Sequence, residues 1–227
     1  MKMTSIILVA IFSLFSSLNA AAQDPSDSWT KEELRMANTA GDASYLTGEE
    51  KDIVIYMNLA RMDGERFFET YFQDFVDQHN EEMRQYSNYS EMRISRTDNY
   101  YRTLQRDLSA TKGLPVLWPD EALSIVSRQH GRDMNKNNFA GHNSSDGRTA
   151  NVRIGKAYPK RSNAENLAFG FRSGLANVCM LLLDKGVPNF GHRKVILNSS
   201  TKLNTVGVSI QPHRQYRYSA VIDFVAR

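Results

Sequence analysis

Cysteine is almost missing: Cys179 stands alone among 227 residues, so no internal disulfide can form and the apolar core must hold the fold. It sits in the apolar run from Val178 to Leu183, where a lone thiol reads as a small buried hydrophobe rather than a nucleophile. Long hydrophobic runs are missing as well. No stretch reaches the roughly 20 apolar residues that a bilayer-spanning helix requires. Charge of one sign is not in excess either, with 28 Lys and Arg against 25 Asp and Glu. Without a concentrated basic face, nothing points to a nucleic-acid partner. There is no HExxH motif and no glycine-rich phosphate loop, which removes two common enzyme signatures.

The first residues have the three-part form of a secretory signal peptide: Lys2, an apolar run from Ile6 to Phe15, then Ala20, Ala21 and Ala22. The reading places a signal at 1–22, with cleavage before Gln23, and a mature chain that is secreted or periplasmic with no membrane span. No cysteine follows the cleavage point, which argues against a lipoprotein. Residues 23–46 are polar and small without a sustained period, and read as an arm. The domain proper is expected over 47–227.

Thr47 and Glu50 form a capping-box signature, and Ile53, Tyr56, Met57 and Ala60 recur at helical spacing, which predicts a helix over 48–62. Phe68, Tyr71, Phe72 and Phe75 predict a second amphipathic helix, set off by Gly64. Residues 79–97 read as an irregular polar excursion, and Tyr101, Leu104 and Leu108 as a short helix. An extended piece from Leu114 to Trp118 leads into a helix bearing Leu123, Val126, His130 and Met134 on one face, so His130 is expected to be partly buried with one hydrogen bond. A buried helix follows at 175–183, and two strands, 205–211 and 218–225, pair as a hairpin. His213 is expected in its exposed turn and His79 in the polar excursion, neither with a chemical role. Lys156, Lys160 and Arg161 read as a solvated loop.

Two runs are dense in reactive groups: Gly141, His142, Asn143, Ser144, Ser145, Asp146, Gly147 and, later, Gly191, His192, Arg193. Glu165 and Asp184 lie between them. Polar residues beside glycines and helix ends, drawn from separated segments, are what a chain needs to assemble one polar pocket.

These stations resemble, in order, those of the CAP superfamily, the SCP domain of cysteine-rich secretory proteins, antigen 5 and pathogenesis-related proteins, in its bacterial secreted branch. The matching residues are Asn58 and Arg61, the extended 114–118, His130 and Met134, the His142 loop, the block Ala164, Glu165, Asn166, Leu167, Ala168, and the Gly191, His192, Arg193 block. The segment from about 64 to 110 is a helical and polar insertion outside the common pattern. The resemblance implies an α+β fold, an αβα sandwich with a small antiparallel sheet between helices. It also implies a cleft lined by His142, Glu165, Asp184 and His192, with Asn166 and Arg193 beside them. Asp184 stands where many relatives carry Glu, and the family's disulfides are missing.

Several chemistries fit such a cleft. Two neighbouring carboxylates need a proton or a cation between them. His142, His192 and Glu165 could ligate a divalent ion such as zinc. Equally, the four groups could hydrogen-bond one another and staple distant loops, or line a site for a small molecule, a lipid or an envelope component, and lipid or sterol binding is implied through some relatives. A hydrolase, metal-assisted or of the serine protease or esterase type, would use His142 or His192 as base with Glu165 beside it, the serine type taking Ser144, or Ser145, as nucleophile, although no nucleophile elbow surrounds either serine. A surface interaction module would use the Tyr-rich stretch from Tyr86 to Tyr101. The leading expectation is an exported binding protein without established catalysis.

Overall fold

The structure is a computed structural model that describes residues 28–198 and 202–227; the expected signal peptide lies outside them. In chain order the elements are α1 (Lys31–Ala37), α2 (Gly48–Met62), α3 (Gly64–Phe67), a π-helical stretch (Phe68–Phe72), α4 (Gln73–Met83), α5 (Tyr89–Met92) and α6 (Asn99–Ser109). Then come β1 (Trp118–Pro119), α7 (Glu121–Asn137), α8 (Ala150–Ala157), β2 (Asn163–Phe169), α9 (Gly174–Leu183), α10 (Gly191–Ile196), β3 (Leu203–His213) and β4 (Arg217–Ala226). Among the described residues no helix is long and apolar enough to cross a membrane.

The sheet runs in the order β1-β3-β4-β2, antiparallel except for the short parallel β1–β3 pairing. Helices α7 and α8 pack on one face, and α2, α9 and α10 on the other, so the molecule is the expected αβα sandwich. Strand alternation divides the side chains. On β4, Ala220, Ile222 and Phe224 join the main core under α2 and α9, whereas Val221, Asp223 and Val225 face α7 and α8. On β2, Ala164 and Ala168 belong to the main core, while Leu167 packs with Met134 of α7. Glu165 and Asn166 therefore leave the same strand in opposite directions.

Helix α2 spans the predicted 48–62, and both halves of its capping box are made: Thr47 Oγ1 accepts from the Glu50 amide and Glu50 accepts from the Thr47 amide. Glu50 also accepts from the Ile210 amide at 2.8 Å, so one carboxylate ties the cap to β3. Asn58 bridges three segments, accepting from the Leu117 amide and donating to the carbonyls of Leu117 and Ala37. Arg61 is buried and donates to the carbonyls of Pro115 and Ile196; burial lowers its pKa to about 10. Cys179 is fully buried in α9, and burial pushes its thiol well up.

Several expectations need correction. Residues 28–46, expected within a polar arm, pack into the molecule: Trp29, Ala37, Ala40 and Leu46 are buried, and α1 has a complete capping box from Thr30 and Glu33. The excursion 79–97 is partly helical, carrying the end of α4 and all of α5. His79 is buried there and its Nε2 meets the Met92 carbonyl at 3.1 Å. Tyr101, expected on a contact face, is buried against Phe68 and Phe72. His213 is buried within β3, its Nε2 at 2.9 Å from the Phe139 carbonyl. Lys156 belongs to helix α8 rather than to a loop.

Helix α7 lies close on the sheet because two glycines leave room. A Cβ on Gly207 of β3 would come within 2.4 Å of the Leu123 carbonyl carbon, and one on Gly131 of α7 within 2.8 Å of Gln211 Cγ. Gly207→Ala must push backbone from backbone, and is expected to destabilise the protein by about 1–3 kcal/mol or more in urea unfolding. Gly48→Ala, with nothing within 4 Å of the new methyl, serves as the near-neutral reference. Equal stability of the two variants would show that α7 does not sit this close.

Candidate functional site

The four expected residues meet as two pairs. In the first, His142 leaves the loop before α8 and its Nδ1 lies 2.8 Å from Glu165 Oε1. The imidazole is 54% exposed while the carboxylate beneath it is 1% exposed. Arg153 of α8 closes on the other oxygen of Glu165. The same guanidinium donates to the His142 carbonyl, the Arg148 carbonyl and Ser144 Oγ. One buried arginine thus shapes the whole His142 loop.

In the second pair, His192 Nδ1 lies 2.7 Å from Asp184 Oδ1. Asp184 ends α9 in the left-handed conformation, φ 58°, which Asp tolerates better than most residues. Its second oxygen accepts from the Arg193 amide. Arg193 is buried and donates to the carbonyls of Leu182 and Leu183, so it caps the buried C-terminal end of α9, and it pairs with Asp107 at 2.9 Å. Those carbonyls have no helical partner of their own.

The pairs adjoin through β2. Asn166, on the face opposite Glu165, donates from Nδ2 to the His192 carbonyl at 3.1 Å. Among the described residues no three of His, Cys, Asp and Glu are placed to hold a metal ion. Each imidazole has one carboxylate partner, short of the three or four protein ligands that zinc takes. The expected His142, His192 and Glu165 donor set therefore does not fit a zinc site. Ser144 Oγ accepts from Arg153 and Ser145 Oγ donates to Asp133 at 2.6 Å. Among the described residues no hydrogen bond joins either serine to an imidazole.

Sequence reasoning missed the groups beneath Glu165. Asp223, opposite it on β4, is fully buried. Burial pushes its carboxyl well above the usual range, and the Glu165 carboxylate pushes it further the same way. Asp223 Oδ2 accepts at 2.8 Å from the Ser127 hydroxyl, which is shared with the Leu123 carbonyl. An isolated acid within Val221-Ile222-Asp223-Phe224-Val225 is the signal that could have flagged it. Burial raises Glu165 too, but the hydrogen bond from His142 and the charge of Arg153 outweigh it and hold the group below its ordinary value. Arg153 left no such signal in its short polar helix.

His130, expected to be partly buried, is fully buried in α7 and makes the one hydrogen bond expected of it, from Nε2 to the Gly141 carbonyl at 2.9 Å. Burial lowers its pKa. It lines a cleft of about 590 Å³ between α7, α8 and the His142 loop, together with Gln129, Asp133, Ser145, Arg153 and Lys156.

Two outcomes are expected. Asp223 holds a proton in the fold that the unfolded chain gives up in the ordinary carboxylate range, so above that range it lowers stability as pH rises, by about 1.4 kcal/mol per unit until the folded group ionises. Glu165 runs the other way, its contribution present above the ordinary range and lost as pH falls through its lowered value. Asp223→Asn removes only the first effect, so its melting temperature should gain on the parent as pH rises above the ordinary carboxylate range. A difference independent of pH would show that Asp223 is not held protonated. Asp184→Ala should cost about 2–4 kcal/mol in urea unfolding, because it strands the His192 ring and the Arg193 amide and keeps a left-handed residue. A loss under about 0.5 kcal/mol, the range of ordinary surface changes, would count against the second pair.

The model of the CAP family, described as the cysteine-rich secretory protein family, matches residues 96–225, more than half of the chain. Among solved structures, the chain is similar to an extracellular protein containing an SCP domain from Bacillus anthracis, with 25% identity and a TM-score of 0.41 over 50% of this chain and 35% of that one. An outer surface protein from Borrelia burgdorferi shows 20% identity and a TM-score of 0.43 over 59% and 96%. A cysteine-rich secretory protein from Staphylococcus aureus shows 14% identity and a TM-score of 0.37 over 56% and 36%. The chain thus spans about a third of the Bacillus and Staphylococcus proteins. No curated protein matches it.

Proposed function

This chain belongs to the CAP, or cysteine-rich secretory protein, family, and from that premise we propose that it is an exported binding protein whose His142 and His192 present their rings to a small molecule, lipid headgroup or envelope component. The observation that carries the proposal is the way both rings are fixed, through Nδ1, on carboxylates excluded from water. A carboxylate only accepts, so each Nδ1 carries the proton; in the neutral ring Nε2 is then a lone pair facing away from the anchor. The pairs hold this orientation before any ligand arrives, which limits the ordering cost of binding.

Location outside the cytoplasm is supported by the signal-like residues 1–22. Binding is favoured over hydrolysis because the hydroxyls of Ser144 and Ser145 are engaged by Arg153 and Asp133, whereas a serine nucleophile needs an imidazole within reach. It is favoured over a zinc centre by the two-donor pairs.

Ligand-observed NMR of the mature protein, with headgroup phosphoesters, organic acids and short peptides, is expected to find a saturable binder. The His142→Ala, His192→Ala double variant should bind it at least about tenfold more weakly, a difference of 1.4 kcal/mol. Zinc should leave the melting temperatures of parent and double variant equally unmoved. Turnover of an ester or peptide panel that vanishes with His142→Ala would replace this reading with a hydrolase, and indifference of every binder to the double variant would end it.

A further inference from the structure

The cleft between α7, α8 and the His142 loop holds an unmatched donor and acceptor. His130 is 1% exposed and Arg153 7%, both line the cleft, and each has a polar atom without a partner among the described residues: His130 Nδ1 and Arg153 Nε. Their chemistry is opposite. The Gly141 carbonyl can only accept, so His130 Nε2 carries the ring proton. The ring is buried, beside the guanidinium of Arg153, and in its neutral form Nδ1 is a bare lone pair in search of a donor. Arg153 Nε–H is a donor in search of an acceptor, since the guanidinium's other nitrogens hold Glu165, Ser144 and two carbonyls. Leaving either group unmade is costly.

A group that gives one hydrogen bond and takes another, as a hydroxyl does, would satisfy both atoms. The remaining lining extends the same chemistry. The Asp133 carboxylate accepts from Ser145 and Asn137 and stands at the wall. Gln129 is exposed, and Lys156 is exposed with no ion pair among the described residues. Asp146 and Arg148 neutralise each other at 2.7 Å. A volume of about 590 Å³ is in the range of small-molecule sites. We propose that this cleft is a second binding site, separate from the His142 and His192 rings, and that it takes a polyhydroxylated ligand of the saccharide class, one hydroxyl of which bridges His130 and Arg153.

The inference does not depend on the His142 and His192 reading, because neither ring lines this cleft. The test is a titration of the nitrogen-15-labelled protein with methyl glucoside, cellobiose and glucuronate, each taken to about 50 mM, well above a dissociation constant of about 1 mM. At least one sugar should produce a saturable shift of the His130 Nδ1 signal together with the Gln129 and Ser145 amides. The Gln129→Ala, Lys156→Ala double variant alters only exposed side chains and should fold as the parent; it should weaken binding at least threefold. Binding that survives His142→Ala but not the cleft variant assigns the site even if the imidazole reading fails. Absence of any saturable shift with all three sugars, a shift that leaves the His130 signal unmoved, or equal affinity in the cleft variant would overturn the proposal and leave the two buried atoms to ordered water.

Discussion

A carboxylate withdrawn from water has to be matched by charge or by donors, and Glu165 is matched by both. His142, from the loop, and Arg153, from α8, lie 11 residues apart in the chain and approach its two oxygens together. That single requirement organises one end of the molecule. Arg153, drawn to the acid, gathers the carbonyls of His142 and Arg148 and the hydroxyl of Ser144. The loop thereby acquires a shape without a disulfide and without regular structure.

The edge strand β2 sets the geometry of everything chemically active. Because neighbouring residues alternate sides, Glu165 serves the α7 and α8 face while Asn166 serves the α9 and α10 face. A family pattern that reads as one pocket of four residues is resolved into two pairs, joined at β2 by the bond from Asn166 to the His192 carbonyl. Each histidine keeps its own acid, and the arginines act as braces: Arg153 for the loop, Arg193 for the end of α9.

The sequence was most legible where local chemistry and packing agree. Helix α2 announces itself by its capping box and apolar face, α7 by its apolar face, and the β3–β4 hairpin by its alternation, since in each the signals lie within a few turns of chain. Strand β2 was opaque in those terms because its Glu165 and Asn166 place polar groups on both faces; only the family block marked it. Helices α8 and α10, of 8 and 6 residues, are too short to carry a period. His213 misled because Pro212 and Arg214 beside it read as a turn, while its burial comes from Phe139, 74 residues away. The identities of His142, Glu165, Asp184 and His192 were readable from their flanking residues. Which acid goes with which ring was not, being a matter of tertiary placement. Arg153, His130 and Asp223 show the same limit, as their interest lies in what burial does to them.

The sealed position of Cys179 has a practical consequence. An alkylating reagent can meet that sulfur only in molecules whose α9 has come away from the sheet, and the single thiol leaves no second site to confuse the readout. The rate of covalent labelling in native buffer is therefore a clock for the opening of the central layer, supplied by the protein's own chemistry and needing no added probe.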